Sequence, residues 1–362
     1  MPGIYLKVMV SNININDCIN VLKKQLKYQE NGNIAFFKNK EKYKPYKINK
    51  KYFFEIKKNN LENLKHKRIA FIDGGNNTIF SAPNFCIVLN RISFCLYQNN
   101  KRLKPKIQNT IDFLSVCTSV LKENEIHFAI KIISDNAVLN QLKTEIKISS
   151  TDKTISSGIW RAKITKISDV ARKYAEWIYA LKIAKNQLNK GDILIRDGTL
   201  EARFVGETDF ANEVYDICKA KKIIFGSVAK VNTLFSNTGS SFTTALSIQS
   251  PKNKIWYYYP VVDINDLQHR AKLYFAKLHK KTNRTLRIDV FDGLSFNIGD
   301  FFYLLAQNSK DPCFFGYPFG LVEAHKNAVV KNNELNYYKA IIYKYLDKKN
   351  HLDMLSSNNI LK

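Results

Sequence analysis

Two apolar segments of this chain each end in Asp-Gly, and together they are its strongest chemical signal. Residues 68–75 read RIAFIDGG, and residues 192–200 read DILIRDGTL. A buried strand that ends in a carboxylate places a negative charge at a sheet edge, where glycine leaves room for a ligand. If the two strands are neighbours, Asp73 and Asp197 can share a divalent cation. A single Asp-Gly is more often an ordinary turn, so the hypothesis depends on the two strands meeting.

A third carboxylate, Glu176, lies in a long amphipathic helix predicted for residues 167–188. Glu176, Ala180 and Ile183 lie in one row along the helix. This row flanks the apolar stripe, so the side chain of Glu176 could face inward at the sheet edge. The alternative is an ordinary surface ion pair between Arg172 and Glu176, four residues apart. Spacing alone favours that alternative.

The C-terminal part holds a tyrosine and a histidine at a defined spacing. Residues 315–328 read FGYPFGLVEAHKNA. Pro318 suits the first turn of a helix and keeps Tyr317 extended just before it. His325 lies two turns further on, among apolar residues. It is either a hydrogen-bonded core residue or, with carboxylates nearby, a metal ligand or proton-transfer group.

The charge of the chain points to a polyanionic partner. Lysine and arginine number 57 against 31 aspartates and glutamates, a formal net charge of +26. Basic runs at residues 37–47 and 277–284 include aromatic or asparagine residues, which suits phosphate contacts and base stacking. Lys230, at the end of an apolar strand predicted for residues 223–230, could contact a phosphate or be a solvated strand end. Part of the excess is solvated surface, but the remainder favours nucleic acid.

Length and composition predict a globular α/β protein. The 362 residues are 45% hydrophobic and 12% aromatic, enough for a substantial core. There is no apolar run of about 18 residues and no secretory signal, which predicts a cytoplasmic protein without membrane association. The six cysteines form no CxxC pair, so reduced thiols are expected rather than a zinc site.

The order of predicted elements favours a mixed sheet flanked by helices. A helix, a short turn and a buried strand follow one another before Asp197, which is typical of α/β proteins. Residues 1–65 are predicted to form a helical N-terminal extension, and residues 254–292 a β-rich insertion with antiparallel strands. Further helices are predicted at residues 13–28, 50–64, 110–122, 209–221, 299–307, 318–331 and 335–348, and strands at 85–97, 126–134, 256–262, 271–278 and 286–291.

These segments, taken in order, resemble the NurA nuclease family. The motifs are IDGG around Asp73, RxxxE ending at Glu176, RDGTL around Asp197, GSVAK ending at Lys230, and YPxxLxxAH from Tyr317 to His325. The resemblance covers roughly residues 67–330. A glycine at position 75 and a threonine at position 199 depart from the family's usual small hydroxyl residue and serine, and neither change removes a carboxylate.

The resemblance implies an RNase H-like core within a nuclease domain at residues 66–333, followed by a C-terminal helix and tail at 334–362. It implies a DNA nuclease that depends on manganese, with magnesium as the alternative, and that binds one or two ions. By matching position, the metal ligands would be Asp73, Glu176, Asp197 and His325, with Tyr317 completing the catalytic site. It further implies 5′ to 3′ digestion of DNA ends, cleavage of single strands, a homodimer, and partnership with the hexameric translocase HerA in end resection and repair.

Two other functions are compatible with the residues. One is a non-catalytic DNA-binding subunit with a vestigial acidic site, against which the retained carboxylates and His325 argue. The other is a different RNase H-like nuclease, such as a resolvase or a ribonuclease, which would not need the tyrosine-to-histidine segment. Phosphodiester hydrolysis itself fits the residues, because carboxylate-bound cations can activate water and neutralise charge on the phosphate.

Overall fold

The computed structural model describes residues 15–29, 32–57, 64–142 and 145–345. Within these ranges the strands are β1 (Tyr43–Pro45), β2 (Phe53–Glu55), β3 (Arg68–Ala82), β4 (Phe85–Gln98), β5 (Lys101–Leu103), β6 (Thr110–Lys122), β7 (Glu125–Ile133), β8 (Ile146–Ser149), β9 (Ile193–Asp197), β10 (Ile224–Ala229), β11 (Trp256–Tyr258), β12 (Val262–Ile264), β13 (Ala271–Lys277) and β14 (Leu286–Phe291). The helices are α1 (Ile15–Gln29), α2 (Ser168–Asn186), α3 (Glu207–Lys221), α4 (Phe242–Gln249), α5 (Ile298–Gln307), α6 (Phe319–Ala328) and α7 (Asn332–Tyr345).

One large mixed sheet organises the chain, in the order β2-β11-β13-β14-β10-β9-β3-β4-β6-β7-β8, with β5 paired to β4. At its centre β3, β4 and β6 run antiparallel, while β9 lies parallel to β3 and β10 parallel to β9. Helices α2 and α3 precede β9 and β10. Three antiparallel strands followed by two helix-connected parallel strands, in spatial order 3-2-1-4-5, form an RNase H-like core. The predicted fold class is confirmed.

The central strands are apolar because both faces of the sheet are covered. Along β3, Ala70 and Ile72 belong to the core cluster that packs against α2 and α3. Ile69 and Phe71 point to the opposite face and pack with α5 and α6. Helix α2 therefore lies on one side of β3 and helix α6 on the other. Both helices can bring side chains to Asp73 within this strand.

The predicted helix at residues 110–122 is wrong, because this segment is strand β6. Ile111, Phe113 and Cys117, at odd positions, are buried, whereas Asp112 and Thr118, at even positions, are exposed. This alternation is the period of a half-buried strand. Pairing with β4 on one side and β7 on the other decides the conformation.

The helical description of the N-terminal segment is only partly right. Helix α1 confirms the helix predicted at residues 13–28 within the described part. The helix predicted at 50–64 is wrong for residues 50–57, where a short 3₁₀ turn leads into strand β2; Leu64 is helical, and residues 58–63 lie outside the described ranges. Strand β2 pairs with β11 through consecutive aromatic residues, with Phe53 opposite Tyr258 and Phe54 opposite Tyr257, so β-sheet pairing overrides local helix preference.

The β-rich region extends the central sheet rather than forming a separate layer. β14 pairs antiparallel with β10, and β13 and β11 follow outward. The predicted strands at 271–278 and 286–291 and the helices that follow them are confirmed as β13, β14, α5 and α6. Helix α7 confirms the last predicted helix as far as residue 345. No helix among the described residues is long and apolar enough to cross a bilayer.

Helix α6 ends against strand β3 so closely that residue 75 has no space for a side chain. A Cβ atom at Gly75 would lie 2.2 Å from the backbone oxygen of Ala328. The expected result for Gly75→Ala is therefore a loss of about 1–3 kcal/mol in unfolding free energy, since backbone must move to admit the methyl group. Urea denaturation of this variant, beside Thr78→Ala on the same strand, measures the effect. Equal stability of Gly75→Ala and the wild type would show that the helix end adjusts freely.

Candidate metal centre

Two aspartates meet on neighbouring parallel strands. Asp197 ends β9, whereas Asp73 lies within β3, which continues to Ala82, so the prediction that this strand ends at Asp73 is wrong: pairing with β4 extends it. Ile72 of β3 is in register with Arg196 of β9, so the next residues, Asp73 and Asp197, lie side by side. After Ile72, β3 remains paired with β4 but no longer with β9, so the two carboxylates lie where the parallel pairing ends. The buried strands hold both carboxylates in fixed positions, with Asp73 buried and Asp197 partly buried.

Helix α6 adds a histidine to this pair. The Nδ1 atom of His325 lies 2.8 Å from Oδ2 of Asp73. One ligand atom from each of Asp73, Asp197 and His325 lies within 4.8 Å of the other two. The hydrogen bond to Asp73 raises the pKa of His325, and the imidazole remains about half exposed to solvent. Two carboxylates and an imidazole thus converge on one point.

The environment of Asp197 is short of positive charge, although a lysine touches it. Burial, followed by the negative charge of Asp73, raises the pKa of Asp197. The ammonium group of Lys230 donates a hydrogen bond to Oδ2 of Asp197 at 2.6 Å. This contact lowers the pKa but does not fully offset burial and the charge of Asp73. A cation between the two carboxylates would lower the pKa further.

Tyr317 forms the wall beside these groups. Its side chain is buried, and its hydroxyl has no hydrogen-bond partner among the described residues. Burial, and then the charges of Asp197 and Asp73, raise the pKa of this hydroxyl. The Nζ atom of Lys230 lies 5.6 Å from the centre of the tyrosine ring. A buried hydroxyl without a partner next to carboxylates is a group that a bound ligand, or water on a metal, can satisfy.

Glu176 is also buried here, but its oxygens are already engaged. Arg172 pairs with Oε1, while Lys173 at 3.0 Å and Arg196 at 2.8 Å pair with Oε2. Burial alone would raise the pKa of Glu176, but the cations of Lys173, Arg172 and Arg196 outweigh it and lower the pKa to about 2. The ion pair with Arg172 does form, as the spacing suggested, although the carboxylate is only 1% exposed.

The structure therefore brings five of the six residues predicted from the sequence into one cluster, which consists of Asp73, Asp197, Tyr317, His325 and Lys230. Glu176 lies behind Gly74, where a Cβ atom would come within 2.6 Å of its Oε1 atom. It stands outside the set of ligand atoms that lie within 4.8 Å of one another. To reach a metal, its carboxylate must release at least one of its three basic partners.

Two functional neighbours were missed from the sequence. Arg196 is fully buried, where it lies 4.1 Å over the ring of Trp177 and pairs with Glu176. An arginine inside the apolar run ILIRD is the signal that could have found it, because a buried guanidinium requires a buried carboxylate. Lys173, three residues before Glu176, completes the same cluster and carries no comparable signal.

A second missed network supports the loop after Asp197. Asp289 on β14 is buried, and its carboxylate accepts hydrogen bonds from the backbone nitrogen of Leu200 and from Arg287. His269 lies 3.0 Å from the same carboxylate. Burial opposes ionisation, but Arg287 and His269 lower the pKa of Asp289 well below its ordinary value. The turn at residues 198–200 is thereby tied to the β-rich half of the sheet.

The donor set fits a hard divalent cation. Carboxylate oxygens are the preferred ligands of Mg²⁺ and Mn²⁺, and an imidazole is acceptable to Mn²⁺. One ligand atom from each of Asp73, Asp197 and His325 lies within 4.8 Å of the other two, a spacing that one ion could bridge.

An RNase H-like sheet that carries two carboxylates and a histidine at one edge defines an α/β protein with a candidate divalent-cation site. Among solved structures, the chain is similar to the NurA nuclease from Sulfolobus solfataricus, with 12% identity, 92% of this chain and 96% of that chain covered, and a TM-score of 0.49. It is also similar to Argonaute from Aquifex aeolicus, with 10% identity, 73% of this chain and 28% of that chain covered, and a TM-score of 0.30. No protein-family model matches the sequence, and no curated protein matches it significantly.

Proposed function

We propose that the protein is a metal-dependent nuclease that hydrolyses phosphodiester bonds in DNA. The observation that carries the proposal is the meeting of Asp73, Asp197 and His325 within 4.8 Å at the edge of the central sheet. These residues come from three remote segments, and ordinary turns would not converge in this way. The net charge of +26 supports a polyanionic substrate.

The basic residues next to the carboxylates suit a phosphate. A divalent cation bound here would supply Lewis-acid chemistry, lowering the pKa of water and neutralising phosphate charge. A pocket of about 360 Å³ opens beside Asp197, and its lining includes Lys173, Lys230 and Arg287. In the proposal, Lys230 moves from Asp197 to a phosphate oxygen of the substrate, where its charge stabilises the negative charge of the reacting group.

The remaining residues have distinct roles in the proposal. His325 is a metal ligand together with Asp73, Glu176 and Asp197, or it moves a proton at its exposed imidazole. Tyr317 donates its buried hydroxyl to the substrate phosphate or to a metal-bound group. Glu176 joins the ligand set only if Lys173 or an arginine releases it, which makes it the most demanding of the assignments.

The finer properties in the proposal rest on the motif order shared with the NurA family. The preferred ion is Mn²⁺, with Mg²⁺ as the alternative, and one or two ions bind. The activities are a 5′ to 3′ exonuclease and a single-strand endonuclease, and the cellular role is DNA end resection and repair. These properties also include a homodimer that works with a HerA-type hexameric translocase in the cytoplasm.

The test is a cleavage assay with defined substrates. Purified protein is incubated with labelled single-stranded DNA, blunt duplex DNA and RNA of the same sequence, in Mn²⁺, Mg²⁺ or EDTA. The proposal expects DNA cleavage that requires the metal and is weak on RNA. Binding of DNA without cleavage in any metal would support the non-catalytic subunit instead, and preferential cleavage of RNA would support a ribonuclease.

Lys230 and a metal compete for the same carboxylate, which gives a separate prediction. Replacing Lys230 with methionine should raise the affinity for Mn²⁺ in the absence of DNA about fivefold, which is about 1 kcal/mol, because one competing cation is removed. The same variant should cleave DNA more slowly. Isothermal titration with Mn²⁺ measures the first effect, and Lys219→Met on the exposed side of α3 is the matched control. Unchanged affinity would show that the metal does not use Asp197.

A further inference from the structure

A tight turn presents two large apolar side chains to solvent in the connection between β8 and α2. The backbone nitrogen of Trp160 donates a hydrogen bond to the carbonyl oxygen of Ser157 at 3.2 Å. Gly158 has a φ of +62°, which the turn requires and which glycine adopts without strain. Ile159 is 91% exposed and Trp160 is 74% exposed.

The turn is anchored, so this exposure is a property of the fold. The backbone nitrogen of Ala162 donates to the carbonyl oxygen of Ser150, and Ile155 is buried in the core that α2 covers. The other two tryptophans of the chain, Trp177 and Trp256, are fully buried. Leaving an indole in water forgoes the stabilisation that its burial would give, which is typical of binding surfaces.

Basic residues surround the exposed indole. Trp160 lines a groove of about 540 Å³ together with Arg161, Lys163 and Lys166, and Asp169 at the start of α2 is the one acidic residue of this lining. An aromatic ring among cations is the arrangement that binds single-stranded nucleic acid, because the ring stacks on a base while the cations contact the phosphates.

The groove contacts strand β3 three residues after Asp73. Asp169 lies 3.4 Å from the side-chain nitrogen of Asn76, which follows Asp73 by three residues along β3. Three residues of an extended strand span about 10 Å. The side of the groove formed by Asp169 therefore contacts β3 about 10 Å from Asp73.

We propose that Trp160 is a stacking platform for an unpaired base of a DNA strand whose phosphates reach the metal centre. The inference rests on the proposed function, because that function identifies the polyanion as DNA. The groove then makes the protein selective for single-stranded DNA, or for duplex ends that have frayed. The bases, and not only the phosphates, contribute to binding.

The test uses the fluorescence of Trp160 in EDTA, where no cleavage occurs. Binding of an oligothymidine should quench the emission of the wild type, and an abasic oligonucleotide of equal length and charge should not. Trp160→Phe should lose the quenching and keep most of the affinity, measured by anisotropy of a labelled strand. Trp160→Ala should lose affinity about tenfold, within the range found for removal of one stacking ring. Tyr337→Ala, which removes another exposed aromatic ring, should bind like the wild type.

The outcomes separate this inference from the nuclease proposal. Quenching and loss of affinity as described, with no cleavage in any metal, would leave the platform standing and overturn the nuclease. Metal-dependent cleavage with no effect of Trp160 on binding would overturn the platform alone. Emission that changes with protein concentration in the absence of DNA, together with dimers in sedimentation that Trp160→Ala abolishes, would assign the turn to an interface between copies of the chain and overturn the inference.

Discussion

Asp73→Asn is expected to lower the rate of DNA cleavage at least about 1,000-fold, equivalent to about 4 kcal/mol of lost transition-state stabilisation. Asparagine keeps the size of the side chain and removes its charge. Asp73 lies at the centre of the candidate site, since it is the partner of His325 and the strand neighbour of Asp197. The substitution should also weaken Mn²⁺ binding at least tenfold, because one of the two carboxylates that would hold the ion loses its negative charge.

Single-turnover cleavage in Mn²⁺ and titration of the metal measure the two effects. Asp216→Asn, on the exposed face of α3, removes the same charge at a distance and should behave like the wild type. The fold should survive in Asp73→Asn, which circular dichroism and urea denaturation check. Cleavage by Asp73→Asn at the wild-type rate would show that the activity resides elsewhere or comes from a contaminant.

Glu176→Gln is expected to destabilise the protein by about 3–5 kcal/mol, the usual cost of removing one partner from a buried ion cluster. Three basic residues would remain around a neutral amide, and Arg196 is itself fully buried. Urea denaturation measures the change. Glu213→Gln on the exposed face of α3 is the control and should change stability by less than about 0.5 kcal/mol. A variant as stable as the wild type would show that the cluster is not structural.

The same carboxylate predicts how stability depends on pH. The folded pKa of Glu176 is lowered from 4.5 to about 2. A group with a lowered folded pKa contributes stability above its unfolded pKa and loses it as the pH falls towards its folded pKa. The wild type should therefore lose stability between pH 4.5 and 2, and Glu176→Gln should show a shallower loss over this range. An identical pH profile for both proteins would contradict the assignment.

The sequence predicted the centre of the fold because the signals there are local and agree. The segments that lead to Asp73 and Asp197 are apolar runs, and α2 keeps a helical period that leads directly into β9. Their parallel pairing is not encoded locally, because β4 to β8 as well as α2 lie between them in the chain. The convergence of His325 on Asp73 is a different matter. It depends on how α6 crosses β3, which no local pattern encodes, and only the shared order of motifs pointed to it.

The parts that were missed depend on partners far along the chain. Strand β6 was predicted as a helix because its alternation is interrupted by Leu114 and Ser115, and its conformation is settled by two neighbouring strands. The environment of Glu176 was missed for the same reason. The i,i+4 contact with Arg172 is visible in the sequence, whereas Arg196 reaches Glu176 only after β9 has paired with β3.

The wide separation of the clustered side chains has a consequence for biosynthesis. His325 and Asp73 are 252 positions apart, and Asp197 belongs to a third segment between them. Long-range closure of this kind is slow, and growing chains fold from their N-terminal side. When both aspartates have left the ribosome, the growing chain still lacks His325. We therefore expect the ability to hydrolyse DNA to appear only after α6 has emerged and docked.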